Sequence, residues 1–407
     1  MNTIQREATG SLAQLIIRDD LASSYSDIYT PEAMNVLASL ARFNGEQKRL
    51  MKKRIDRRLA RIENKQRISF LDPNERIAGT NLSVQEARDG KFEGGTIPHD
   101  LQRQWIQGTG PAARPEAATA TSIRNVAYAL LSGADGWMFD GEDALGQITT
   151  MSLENQRNLK LAIAKDAIFM DAAERVAREM NTWAEDFFGR EIISDWRKQL
   201  DFTTKIFRAR GLHLDDRHIR DQNGVALAAS IVDITLYVVN NYRSLQQSSA
   251  SIALYLPKIQ TAEEAALWDS MISALEQELD LAAGTIKVYV LIEQLEATFQ
   301  LMEIRAALGV HFVGFNTGRW DYINSVADAM VWDNDFINPN IEAITMTYGY
   351  MRNYEDRVRR AVNTPDLNGN FALWQGGMEP NIPVGSRQGV DSSMEKAVAG
   401  ARREQKE

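Results

Sequence analysis

The stretch Gly314-Phe-Asn-Thr-Gly-Arg-Trp-Asp-Tyr322 holds three side chains suited to binding or catalysis: Asn316, Arg319 and Asp321. Gly314 and Gly318 punctuate it, and glycine lets a backbone turn tightly or approach a ligand closely. The segment follows a strand-like run, Val310-His-Phe-Val313. About one element earlier, the apolar run Lys287-Val-Tyr-Val-Leu-Ile292 ends on Glu293. An acid at the C-terminal end of a buried-type strand is how a barrel enzyme presents a metal ligand. Glu293 and Asp321 are therefore expected on neighbouring strand ends, and an oxygen-only pair of that kind suits Mg²⁺.

Other apolar runs end on polar groups too. Asp140, Glu142 and Asp143 follow one, Arg208 and Arg210 the next, then Lys258, Asn316 and Thr345 follow others. Singly, each fits the ordinary polarity of a barrel rim. Together they are what a site for a small anionic substrate needs. Arg208 and Arg210 flank one alanine, so on a strand they share a face, with Arg210 the better candidate for a structural ion pair. His99, His213, His218 and His311 form no metal-spaced pair such as H-E-x-x-H, which leaves His213 and His311 as supporting or packing residues.

These side chains require strands to carry them. Short apolar runs lie near Trp105–Gln107, Trp137–Asp140, Ile206–Arg208, Ile252–Lys258, Ile286–Glu293, His311–Phe315, Ala343–Met346 and Phe371–Trp374. Helix-sized intervals separate most of them, Leu153–Met180 and Ala262–Leu281 being the clearest helices. Strand–helix alternation repeated eight times predicts an α/β protein, a (β/α)8 TIM barrel, over residues 105–407, with an insertion between the second and third strands and a last helix over Asp391–Gln405. Residues 1–104 read as an α-helical N-terminal region and linker. Pro31 opens a helix with Thr30 as its N-cap. Gln47–Gln66 is densely basic, with Leu50, Met51, Ile55, Leu59 and Ile62 on a stripe, and is expected as a solvated helix packed through that stripe. Residues 67–104, rich in turn formers, are expected to wrap onto the barrel.

The 407 residues suffice for a large core. A net charge of −9 argues against general affinity for nucleic acid or anionic membrane. The absence of cysteine excludes disulfides, thiolate nucleophiles and Cys-ligated metal sites. No apolar run reaches the roughly 20 residues that span a bilayer, and the N-terminus lacks a basic-then-apolar pattern, so a cytoplasmic location is expected.

His311 to Tyr322 resembles the H-x-x-G-[LF]-N-x-G-R-W-D-Y signature of malate synthases. Val290-Leu-Ile-Glu293, Gly284-Thr-Ile-Lys287, Tyr255-Leu-Pro-Lys258, Phe207-Arg-Ala-Arg-Gly-Leu-His-Leu214 and Gly376-Gly-Met378 are similar to further motifs of that family, in the same order. The likeness runs from about residue 105 to the end and is greatest to the short A-type enzymes. It implies Mg²⁺ held by Glu293 and Asp321, and a catalytic Arg208 at the first Arg of R-x-R-G. Phe139-Asp-Gly-Glu-Asp143 resembles the family's acidic turn, with Asp143 assisting catalysis and Gly141 standing where an aromatic is usual. Substrate contacts are implied for Arg208, Glu293, Gly318, Arg319, Trp320 and Asp321. The implied activity is that of an acyltransferase condensing acetyl-CoA with glyoxylate to give malate and CoA, in a chain that could form a homo-oligomer. Alternatives are a citrate-lyase-type C–C lyase acting on a malyl- or citramalyl-CoA thioester, and a non-catalytic barrel binding 2-oxo acids or CoA. The resemblance also places the catalytic base, an Asp, in a helical domain beyond the barrel, and no such stretch follows Gly376-Gly-Met378 before Glu407.

Overall fold

The computed structural model describes residues 14–103, 107–109, 119–143, 150–377 and 387–404. It begins with β1 (Leu15–Ile17), α1 (Leu21–Ser24), α2 (Pro31–Leu40), α3 (Asn44–Glu63) and α4 (Val84–Arg88). Then come β2 (Gln107–Thr109), α5 (Thr119–Leu130), β3 (Gly136–Asp140), α6 (Met151–Ile163), α7 (Ala167–Phe188), α8 (Trp196–Phe202) and β4 (Thr204–Arg208). An excursion of β5 (Asp215–Asp221), β6 (Ala226–Ala228) and α9 (Ala229–Gln247) leads to β7 (Ile252–Leu256), α10 (Ala262–Glu278), β8 (Ile286–Ile292), α11 (Leu301–Leu308) and β9 (Phe312–Thr317). The chain closes with α12 (Arg319–Ala329), α13 (Gly349–Val362), β10 (Leu373–Gln375) and α14 (Arg387–Glu404).

Seven strands pair in parallel in the order β10-β9-β8-β7-β4-β3-β2. The sheet curls. Met138, Ile206, Ala253, Tyr255, Tyr289, Leu291 and Val313 from five of its strands meet in one inner cluster, and Leu101 from the N-terminal segment plugs it. The Tyr289 hydroxyl donates to the Leu101 carbonyl (3.1 Å), and Ser251 binds Asp100 through both N–H and hydroxyl. The other face of the sheet is buried under the helices. Burial on both faces is why these strands read as continuous apolar runs rather than alternating ones.

The arc has seven strands among the described residues, not the expected eight. Ala343–Met346 is no strand: Ile341–Ala343 forms one 3-10 turn, and Ile344 is the one buried residue of the segment. β10 pairs directly with β9 instead, Leu373 opposite Gly314. Gly314 permits this, because a β-carbon there would collide with the Leu373 carbonyl oxygen. That glycine therefore serves strand approach rather than the turn its position suggested. The first strand lies at 107–109, and residues 104–106 fall outside the described residues. The expected helix over Leu153–Met180 is two helices. Lys165, with φ 53°, breaks the run, and Asp166 caps α7 through the Ile168 N–H.

The N-terminal helices bear directly on the site. Thr30 caps α2 as expected, accepting from the Ala33 N–H at 3.2 Å. α3 departs from expectation. Leu50 is buried, but Ile55 and Leu59 are each 59 % exposed, and the basic face is the one that docks. Arg61 pairs with Glu296, Arg49 and Lys53 with Glu263, and Arg58 with Asp328. The barrel surface beneath α3 is acidic, so charge complementarity, not the apolar stripe, sets the helix's rotation. Among the described residues no helix is long and apolar enough to cross a membrane.

Candidate active site

β8 delivers Glu293 and the start of α12 delivers Asp321. Asp321 is thus in the first turn of a helix, not on a strand end, because β9 runs on to Thr317 and only Gly318 separates it from α12. Tyr354 on α13 clamps the two segments. Its hydroxyl donates to the Ile292 carbonyl and accepts from the Gly318 N–H (2.8 Å), while its ring stacks on Tyr322 with centroids 4.0 Å apart. A β-carbon at Gly318 would lie 2.9 Å from the Glu293 β-carbon, so this glycine allows the two segments to close.

Lys258 stands at the centre of the cluster. Its ammonium lies 2.9 Å from Glu293, 3.0 Å from Asp321 and 3.6 Å from Asp143. Two oxygens, each about 3 Å from one nitrogen, are at most about 6 Å apart, so Glu293 and Asp321 face one cation-sized point. Lys258 has φ 56° and donates its own N–H to Glu293 at 2.8 Å. A non-glycine residue in that left-handed region costs roughly 1–3 kcal/mol and persists only where its surroundings hold it. Lys258 and Glu142, which the sequence offers only as two of several polar groups ending apolar runs, stand at the heart of the cluster. A basic residue ending one strand among acid-ended neighbours was the available signal.

Arg208 enters from β4. It lies 2.6 Å from Asp143, 3.2 Å from Glu142, 3.5 Å from Asp140 and 3.9 Å from Glu293. Asp140 also accepts the N–H groups of Glu142 (2.9 Å) and Asp143 (3.2 Å), which shapes the acidic turn. Gly141 fits because a β-carbon there would stand 2.6 Å from the Arg208 carbonyl oxygen and 3.2 Å from the Phe207 ring. Arg210 does not share Arg208's surroundings, since the strand ends at Arg208. It is buried against Asp233 (2.7 Å) and Asp216 (2.7 Å) as a structural ion pair.

Five carboxyl groups thus surround two cations, Arg208 and Lys258. Burial pushes Glu142 up to about 8 and Glu293 up to about 7, against the opposing pull of both cations. Burial also acts to raise Asp321, but Lys258 and the adjacent Glu293 carboxyl leave it below the ordinary aspartate value. His213 is 3.4 Å from Glu142 and is pushed down to about 4, first by burial and then by Arg54 and Lys258, so it is neutral at pH 7.

The remaining predicted residues sit at the margin. Arg319 donates to the Ile344 carbonyl (2.5 Å) and lies over the Trp320 ring, which is part-exposed. Asn316 donates to the Gly376 carbonyl at 2.9 Å, while Met378 lies outside the described residues. In the non-strand segment the Thr345 hydroxyl pairs with that of Thr347 (2.8 Å), and its carbonyl accepts from the Tyr348 N–H (2.9 Å). His311 is at the opposite end of β9, between Asp269 (2.7 Å) and Glu276 (3.1 Å), and is a packing residue.

A family model described as "Malate synthase, TIM barrel domain" matches residues 204–407, just over half of the chain. The chain belongs to the malate synthase family. It is 31 % identical to malate synthase A of Escherichia coli (strain K12) over 373 residues, covering 91 % of this chain and 62 % of that one. It is 29 % identical to the malate synthase of Myxococcus xanthus (strain DK1622), over 96 % of this chain and 64 % of that protein. It is 34 % identical to the "Bifunctional glyoxylate cycle protein" of Caenorhabditis elegans, over 88 % of this chain and 33 % of that one. The chain therefore spans at most about two thirds of the length of these relatives. Family membership extends the barrel assignment to the arc β4–β10, and Lys258, Glu293 and Asp321 all lie inside the matched segment.

Proposed function

We propose that this chain carries the glyoxylate- and cation-binding barrel of a malate synthase, in which acetyl-CoA, glyoxylate and water give malate and CoA. The observation that carries the reading is the convergence of Glu293 and Asp321 on one cation-sized point, the one the Lys258 ammonium occupies, with Arg208 alongside. The donor set suits Mg²⁺: two carboxylates, hard oxygen ligands only, in a pocket whose acids outnumber its bases. No group of three or more His, Cys, Asp or Glu with metal-holding geometry occurs among the described residues. That is compatible with a cation which usually takes one or two carboxylates and completes its shell with water and substrate oxygens. When bound, Mg²⁺ would polarise the glyoxylate aldehyde as a Lewis acid.

The chain's own residues supply the rest. Arg208 presents an always-charged, rigid donor fork beside the same point, fit to hold negative charge that develops on a substrate oxygen. Asp143, Glu142 and Asp140 fix the plane of that fork. Gly318 lets the backbone close onto Glu293, and Arg319 with Trp320 forms the near wall of the mouth. A lyase of similar metal chemistry would need the same carboxylates, and the family assignment favours the synthase. The test is Asp321→Asn. Calorimetry should show loss of Mg²⁺-dependent glyoxylate binding with an unchanged circular dichroism spectrum. Unaltered binding by this variant refutes the proposed cation site.

A further inference from the structure

We propose that Arg54, on α3 and outside the residues that the barrel-domain model matches, is a positioning residue for the cation site, acting through the backbone of Lys258; this rests on the reading of Glu293 and Asp321 as the cation-binding pair. The Arg54 guanidinium donates to the Lys258 carbonyl at 2.8 Å and to the Gln294 side-chain oxygen at 3.3 Å. It therefore bridges the residues that follow β7 and β8, the two strands whose ends carry Lys258 and Glu293. Its side chain is largely sheltered, and behind it lies the buried Glu264 at 3.8 Å.

The backbone of Lys258 explains why this contact matters. With φ 56°, its N–H turns inward to Glu293 while its carbonyl turns outward to α3. The inward hydrogen bond and the outward one belong to a single backbone conformation that a lysine adopts only when held. Arg54 supplies the outer hold with a charge-assisted donor, the stronger kind of hydrogen bond. Releasing it lets the residue relax, frees the Glu293 oxygen from the Lys258 N–H, and withdraws the ammonium from between Glu293 and Asp321. The helical N-terminal region would thus set the geometry of the barrel's site rather than merely cover it. Arg58, one turn along α3, provides the control: it pairs with Asp328 and touches none of these groups.

The experiment uses the full chain and the variants Arg54→Ala, Arg54→Lys and Arg58→Ala. Hydrogen exchange of the Lys258 amide, which needs no ligand, is followed by NMR. Calorimetry with Mg²⁺ and glyoxylate is run in parallel. Loss of one charge-assisted hydrogen bond predicts exchange about tenfold faster at Lys258 in Arg54→Ala, with β7 and α10 amides unchanged. Arg54→Lys, which keeps one donor, should recover part of the protection, and Arg58→Ala should match the wild type. Mg²⁺ affinity should rise about tenfold in Arg54→Ala, because the withdrawn ammonium no longer occupies the point between Glu293 and Asp321. The same Arg54 substitution should not raise Mg²⁺ affinity further in a Lys258→Met background, which has no ammonium to withdraw. Unchanged Lys258 exchange, equal effects of Arg54→Ala and Arg58→Ala, or additive effects with Lys258→Met each overturn the proposal. If the wild-type chain fails to bind glyoxylate with Mg²⁺, the proposed function fails, and the exchange rates still decide whether Arg54 positions Lys258. If Arg54→Ala does not fold, the Arg54→Lys exchange rate decides, since a purely structural role predicts wild-type protection at Lys258.

Discussion

The proton affinity of Glu293 makes Mg²⁺ binding pH-dependent in a direction that can be worked out. Burial pushes this carboxyl up from 4.5 to about 7, only partly offset by Lys258 and Arg208. A cation needs it ionised. At pH 6 about one tenth of the chains carry it ionised, and at pH 8 about nine tenths, so Mg²⁺ affinity should rise about tenfold between them, or about 1.4 kcal/mol. Calorimetry in two buffers of different ionisation enthalpy should count about three quarters of a proton released per Mg²⁺ at pH 6.5 and almost none at pH 8.5. Stability follows the same logic with its own sign. Glu293 and Glu142 hold their protons more tightly folded than unfolded, so their contribution is complete below pH 4.5 and is lost as pH rises through about 7 and 8. Mg²⁺ should therefore raise the melting temperature at pH 8 and leave it nearly unchanged at pH 5. An affinity that is flat from pH 6 to pH 8, with no proton released, refutes the buried-carboxylate argument.

Arg208→Lys should lower glyoxylate affinity, and any turnover, by about tenfold or more, since a point charge cannot engage Asp143, Glu142 and Asp140 as the fork does; a wild-type value in calorimetry removes Arg208 from the site. His311→Leu should destabilise the fold by about 3 kcal/mol, the equivalent of raising the histidine from 6.5 to about 9 against the cost of burial. That contribution is complete below pH 6.5 and disappears as pH rises through about 9, so urea melts of wild type and variant should converge near pH 10.

Much of this molecule was legible before any coordinates. Hydrophobic runs of strand length, spaced by helix-sized intervals, determine a parallel α/β sheet because strands buried on both faces can tolerate little else. Seven of the eight expected strands overlap the runs that predicted them; only Ala343–Met346 has none. The acid that ends β8, the arginine that ends β4 and the Gly-Arg-Trp-Asp turn after β9 locate the mouth, because side chains just beyond a buried strand must leave the core at its C-terminal end. What the one-dimensional pattern could not decide were the pairings between distant segments. Nothing local indicates that β10 replaces the expected strand at Ala343–Met346 beside β9; that depends on Gly314 admitting the backbone of Leu373. Nothing local indicates that α3 turns Ile55 and Leu59 to solvent; that depends on acids contributed by α10, α12 and Glu296. Lys258 was visible only as one more rim residue. Its central place arises because β7, β8 and α12 converge, and because a left-handed backbone, held by contacts more than thirty residues away in sequence, aims its ammonium between Glu293 and Asp321. Composition and periodicity are properties of a chain read in order. Coulomb energy and steric fit depend on distance, and only the folded structure supplies distances.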